Sequence, residues 1–378
     1  MTLVSLRPLR ELSAQEIRQW SQLAARAAEP NPFQDPAFVL PLTREITAGR
    51  PLKFLSVMES ESRRLIAACV VESCEPTFTR PLPHLRSLAT PYTFCDSPLI
   101  DREYLRVGVR ALWESLSHQR SWHGVRFRFV RTSGPQAEAI QEYCSASQVA
   151  VLHDRQWDRA STAISELRSK TLLERASKSR RKSLNRARRW LQSQGDVTHR
   201  LVFPDAADSR PVDAFLRLES LGWKGVAGTA IGSSPRDVDF FREMIRKFAA
   251  TRAVCFGELL VGGRVIASTC NLLAGDTLFG FKLGWDPEFA DGNPGHWAEI
   301  ELAQAICDQR PDIATIDSCS QPGSYVEAVS TGAHPMASSV HVWSRRAQVL
   351  CGIRRAVQTL KTTLARGGES EAAAGQGR

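Results

Sequence analysis

Residues 253–306 leave this chain little freedom in how it can fold. Ala253–Leu260 and Arg264–Ala274 are β-rich runs separated by Val261-Gly262-Gly263, a hairpin signal. Gly275-Asp276 marks another turn, and Thr277–Trp285 is a third run with period-2 character. Asn293-Pro294-Gly295 then opens an apolar-periodic segment that ends near Arg310. Asn is a preferred N-cap and Pro a preferred first helical residue, so a helix is expected to start there. Three strands feeding a helix N-terminus present unsatisfied backbone N–H groups that suit an anion.

A chain of 378 residues with 43% hydrophobic content can bury two cores. It has no run of 18 apolar residues, and its first twenty residues lack the apolar stretch of a signal peptide. Nine cysteines occur without CxxC pairs, several of them in strand-like runs (Cys69, Cys255, Cys270), which reads as reduced thiols and not as a disulfide or zinc framework. The eight histidines form no HExxH, so no metal site is expected. These features point to a cytoplasmic protein, with a peripheral contact to an inner membrane as the alternative. The net charge is +9, and residues 168–189 hold ten Lys/Arg against one acid (Glu174), so this one segment carries the whole excess.

Along the chain, residues 12–28 read as a helix, Lys53–Glu59 and Leu65–Ser73 as a hairpin, and 74–100 as a Pro/Thr/Ser-rich loop region with Tyr92 to Asp96 inside it. Arg102–Gln119 (helix), Gly124–Val130 (strand), Gln136–Ser147 (helix) and Val149–His153 (strand) follow. That order is a degraded copy of the C-terminal arrangement, so two related domains in tandem are expected. Lys170–Leu191 reads as one basic helix with Leu173, Ala176, Leu184, Ala187 and Leu191 on its apolar face. A helix over 212–221, the Gly-rich loop Gly222–Ser234, a helix over Asp237–Ala250, a strand around Val340–Trp343, a basic amphipathic helix over Ala347–Arg366 and a tail of low order over Gly367–Arg378 complete the reading.

Four side chains stand out as candidates for site chemistry. Glu219 stands at a helix end beside Gly222-Trp223-Lys224-Gly225, where cover by Trp223 would suit a general base; an exposed helix glutamate is the plain alternative. Lys282 lies in a strand expected to be central, where a lysine is costly unless it is paired or faces a cavity. It can hold a substrate anion or steady transition-state charge. Asp286 follows in a Gly-Trp-Asp-Pro turn and reads first as a turn cap. Asp317 ends the strand Ala314–Asp317, as a cleft carboxylate or a loop cap.

The ordered set Asn31-Pro32-Phe33 with Pro36 and Phe38, the basic central helix, Phe215–Gly228, Phe279–Ala290 with Pro294-Gly295, and Ile316–Tyr325 resembles the double-GNAT acetyltransferases of the CelD/BcsL type. Those are relatives of the Fem peptidoglycan aminoacyltransferases. The resemblance covers most of residues 30–345 and implies an α/β (α+β) fold of tandem GNAT-like domains with mixed, mostly antiparallel sheets. It implies a degenerate N-terminal domain (1–160), a basic linker (161–196), a catalytic domain (197–346) and a C-terminal extension (347–378). The implied activity is N-acyl transfer, of groups other than aminoacyl, from acetyl-CoA or another acyl-CoA to an amine of a sugar or amino compound, in exopolysaccharide, cellulose or envelope biosynthesis. Glu219 would be the base, Lys282 the charge stabiliser, Asp317 an orienting carboxylate and Tyr325 a proton donor to the leaving group. Gly292, Asn293, Pro294, Gly295 and His296 would hold the cofactor, and Trp223, Lys224, Trp285 and Asp286 the substrate.

Two departures matter. Ordinary GNAT enzymes carry an Arg/Gln-x-x-Gly-x-Gly/Ala run against the pyrophosphate, and here the place reads FADGNPGHWAEI; and Val326-Glu327 stand where many relatives have Lys or Arg. Charged tRNA or an acyl carrier protein as donor therefore stays open, with Lys170–Arg189 as the contact for RNA, an acidic carrier or anionic lipid. So does a non-catalytic scaffold.

Overall fold

In the computed structural model, residues 2–353 are described, except Thr79 and Arg120 and except the side chains of Trp223 and Lys224. The first part of the chain runs β1 (Thr2–Pro8), α1 (Ala14–Ala25), α2 (Pro36–Glu45), β2 (Leu52–Glu59), β3 (Leu65–Cys74), β4 (His84–Ser87), β5 (Leu99–Ile100), α3 (Leu105–His118), β6 (Gly124–Arg131), α4 (Pro135–Ala146) and β7 (Ala150–Ala163). The helices α5 (Ile164–Leu167), α6 (Leu172–Arg175) and α7 (Lys178–Gln194) connect it to the rest. The second part runs β8 (Val197–Val202), α8 (Arg210–Leu221), α9 (Trp223–Val226), α10 (Pro235–Ala249), β9 (Val254–Val261), β10 (Arg264–Ala274), β11 (Thr277–Trp285), α11 (Pro294–Gln309), β12 (Thr315–Asp317) and β13 (Gly332–Val342).

The strands form one mixed, mostly antiparallel sheet in the order β1-β2-β3-β4-β6-β13-β7-β12-β11-β10-β9-β8, with β5 set against β3. The order is palindromic. Each half has an antiparallel meander followed by a single parallel pairing, β4 with β6 and β11 with β12. The halves then exchange their last strands, because β7 pairs with β12 while β13 pairs with β6. The expected boundary at residue 160 falls inside β7, whose residues 161–163 lie against β12.

Three apolar clusters flank the sheet. The largest joins both halves: α1 and α2 meet α8 and α10 there, through contacts such as Phe38–Phe240, an edge-to-face pair with centroids 5.6 Å apart. A second lies between the sheet and α11 and α7, a third between the sheet and α3 and α4.

The expected basic helix is broken. Thr171 and Glu174 form a capping box that starts α6, Ala176 is extended, and Ser177 caps a new helix by accepting the Arg180 N–H. Leu184, Ala187 and Leu191 are the buried face of α7, while Leu173 and Ala176 lie before it. The strands expected to end at His153 and to begin at Val340 extend to Ala163 and back to Gly332, because each crosses into the opposite half. Residues 345–353 are helical; the rest of the Ala347–Arg366 helix and the Gly367–Arg378 tail lie outside the described residues.

Candidate functional site

β11 and β12 are paired only from Thr277↔Thr315 to Phe279↔Asp317, and beyond that point β11 runs on to Trp285 without β12. Just past the split, the register against β10 passes from Asn271↔Gly280 to Cys270↔Lys282, so Phe281 is an extra, bulged residue. The sheet therefore opens between β11 and β12 after Phe279, three residues before Lys282. One face of the opening belongs to α8, the other to α11.

On the α8 face, Lys282 Nζ stands 3.7 Å from Glu219 Oε1 and 5.0 Å from the centroid of the Tyr92 ring. The Ile231 N–H donates to Glu219 Oε2 at 2.7 Å. The Glu219 side chain has no exposed surface and that of Lys282 has 14%. This pairing depends on Gly284: a Cβ there would come within 2.5 Å of the Glu219 backbone nitrogen, so only glycine lets α8 lie directly on β11. Burial, followed by Asp237 and Glu219, raises the Tyr92 pKa, and its hydroxyl bonds Asp237 at the start of α10.

On the α11 face, the expected Asn293-Pro294 helix start is present, but the Asn293 side chain makes no capping bond. Its backbone is left-handed, φ 48°, a conformation Asn tolerates better than most residues, and that turns the chain into α11. Gly292 packs against Leu191 and Trp190 of α7, and Gly295 against Leu283 and Trp285, with Pro294 buried beside it. The basic helix thus lies across this helix start. Arg180 Nη2 donates to His296 Nε2 at 2.6 Å, and burial together with that cation holds the His296 pKa down at about 4. The His296 and Tyr325 rings meet at 4.6 Å. Burial and then Glu299 raise the Tyr325 pKa, and burial alone pushes Glu299 up to about 7.

Asp317 lies at the fork of the split and is fully enclosed. Arg131 (3.3 Å), His334 (3.3 Å) and Arg159 (3.7 Å) surround its carboxylate, and the Cys319 N–H donates to it at 2.8 Å. Burial acts to raise its pKa, but Arg159, His334 and Arg131 outweigh it and hold the carboxyl well below the usual range. Asp286 accepts from the Glu288 N–H at 3.1 Å and pairs with Arg264, which makes it a turn cap. Trp285 is half-buried at the end of β11, and the side chains of Trp223 and Lys224 lie outside the described residues.

The sequence candidates thus separate into two groups on opposite faces of one split, with Asp317 between them and Asp286 to the side. Tyr92 and Glu299 were not singled out from sequence. Glu299 had a weak signal, an acid three residues after His296 on the same helix; Tyr92 had none, because it comes from the other half of the chain.

Residues 178–322 match the family model described as an acetyltransferase (GNAT) domain. Two solved structures are similar over most of their length. One is a conserved protein of unknown function from Bacteroides thetaiotaomicron VPI-5482, 12% identical, with 90% of this chain and 100% of that one covered and a TM-score of 0.53. The other is FemX, 10% identical, with 90% and 96% covered and a TM-score of 0.56. No curated protein matches. The chain has a GNAT-superfamily fold. That fold is present in tandem form, two halves sharing one sheet.

Proposed function

We propose that this protein is an N-acyltransferase of the CelD/BcsL type that passes an acyl group from coenzyme A to an amine of a sugar or amino compound. The observation that carries the reading is Lys282, a partly buried cation directly after the β11 bulge, on the stretch of β11 that has parted from β12. In this reading the donor lies at the start of α11, over residues 292–296, with its thioester at the split, and the amine arrives from the α8 face. The neutral amine attacks the carbonyl directly, and Lys282 stabilises the oxyanion that forms. Glu219 was expected to be the base; enclosed, bonded to the Ile231 N–H and ion-paired with Lys282, it is better suited to fixing the lysine. Tyr325 protonates the departing thiolate, and the proton that the attacking nitrogen then releases returns to Tyr325 by way of Glu299, which titrates in the range useful for acid–base exchange at neutral pH. An acceptor in exopolysaccharide or envelope synthesis fits this scheme.

One observation favours a second reading, in which the acyl donor is attached to an acidic carrier protein or tRNA. Lys178, Arg181, Lys182, Arg186 and Arg189 are exposed on α7, the helix that lies over the start of α11.

Lys282→Met tests the main reading. Acyl transfer should fall at least about 100-fold, the loss typical of an oxyanion donor, while acetyl-CoA binding changes little. Because the variant leaves Glu219 buried without its cation, it should also lose about 3–5 kcal/mol of stability. Adding Glu219→Gln should restore the melting temperature but not the activity. Recovery of both would show that the pair serves the fold alone.

A further inference from the structure

The first half holds a cavity that the transfer scheme does not use. It has a volume of ≈ 350 Å³ and lies between α4 and strands β6, β13 and β7. That is within the size range of small-molecule sites and far above the voids of a close-packed interior. Trp113, Phe127, Val130, Ile140 and Val151 give it apolar walls. By strand order, the matching space in the second half lies between α11, β12 and the turn Tyr325–Val329. There it is filled by Ile306, Ile316 and Val329, so an open space is not a requirement of the fold.

One end of the cavity is polar around Gln136. Gln136, in the first turn of α4, is 2% exposed, and its Nε2 donates to the Pro98 carbonyl at 3.0 Å. That bond fixes the amide's orientation and leaves Oε1, an acceptor, with no donor among the described residues. Glu29, 8% exposed, accepts from the Ser97 hydroxyl at 3.3 Å, one residue from Pro98. Arg131 completes this end and reaches on to Asp317. Farther along the cavity, His341 is already satisfied: the Trp113 indole N–H donates to its Nδ1 at 3.2 Å, and Nε2 lies 3.3 Å from the Ser339 hydroxyl.

Charge decides what kind of head fits. Behind the cavity end, the guanidiniums of Arg131 and Arg159 both lie against the Asp317 carboxylate, and burial raises the pKa of the neighbouring Glu29. An ammonium entering there would meet those guanidiniums and a carboxylate would face the Gln136 Oε1 acceptor, each at a burial cost that exceeds one hydrogen bond. A neutral donor would satisfy Gln136 Oε1 without bringing in a charge. We propose that this cavity is a binding site for a small, mainly apolar molecule whose head is an uncharged hydrogen-bond donor, such as a hydroxyl, with Gln136 as its acceptor.

Three probes of one shape test this by calorimetry on the full chain: 2-phenylethanol, ethylbenzene and phenethylamine. The alcohol should bind at one site at least about tenfold more tightly than the ammonium form of the amine. Gln136→Leu should reduce the ratio of alcohol to hydrocarbon affinity by about tenfold, and Ala137→Trp, which fills the cavity from α4, should abolish binding of both. Ring resonances of Trp113 and His341 should shift on titration of the wild-type protein, a readout that does not rely on the stability of any variant. Absence of saturable binding, equal or tighter binding of the amine, or an unchanged ratio in Gln136→Leu would overturn the proposal. No arm involves Lys282 or an acyl donor, so its failure is separate from failure of the transfer scheme.

Discussion

Glu299 shows what burial does to a single side chain. Its carboxyl titrates at about 7 in the folded protein, above its unfolded value, so between the two the native state binds the extra proton. A raised carboxylate pKa makes stability greatest below the unfolded value, about 4.3, and lowers it as pH climbs towards 7. Urea midpoints measured from pH 5 to 8 should fall with rising pH, and Glu299→Gln should flatten that slope. A slope that survives the substitution would assign it elsewhere. The sequence marks this residue only weakly, as an acid three residues after His296: the shift comes entirely from what packs around it, whereas Lys282 was legible because a lysine in a central strand is costly wherever it occurs.

At the scale of elements, the strand meander and the helix that follows it were readable almost to the residue. β10, β11 and the start of α11 match the expected Arg264–Ala274, Thr277–Trp285 and Pro294, since alternation, paired glycines and an Asn-Pro start are local signals. The basic segment was misjudged as one helix because its charge pattern runs on through Ala176, while the capping groups Thr171 and Ser177 divide it. Contacts between elements were less visible. Gly284 looks like any strand glycine, yet it sets the approach of α8 to β11. Gly284→Ala should push α8 outward and destabilise the protein by about 1–3 kcal/mol, the range for overpacking, with a loss of transfer activity beyond what the fold change explains. Thermal melts and rates on the same preparation check this; an unaffected protein would mean that α8 is not seated there.

Across the whole molecule, tandem organisation was legible from repeated element order, but the exchange of β7 and β13 between halves was not. Pairing between strands far apart in sequence leaves no local mark. Asp317 lies where that exchange occurs, against arginines from β6 and β7 and a histidine from β13. Its depressed pKa contributes stability that is complete above the unfolded value of about 3.9 and is lost as pH falls from there towards the folded one. Asp317→Asn should therefore cost about 3–5 kcal/mol at pH 7, with the buried Arg159 and the partly buried Arg131 left short of a counter-charge, and should make unfolding less acid-sensitive below pH 4. Equal acid sensitivity in both proteins would remove Asp317 from that role.

The claim on which the functional account rests is that an acyl-CoA binds at the start of α11. Calorimetric titration of acetyl-CoA into the wild-type chain measures it directly. The account predicts a single site with an affinity on the order of micromolar, and stabilisation of about 2.7 kcal/mol at a hundredfold excess over Kd. His296→Trp should remove the binding by blocking the start of α11, and Lys282→Met should leave it intact. Absence of binding by acetyl-CoA and longer acyl-CoAs alike would contradict the account and shift the donor to a macromolecular carrier.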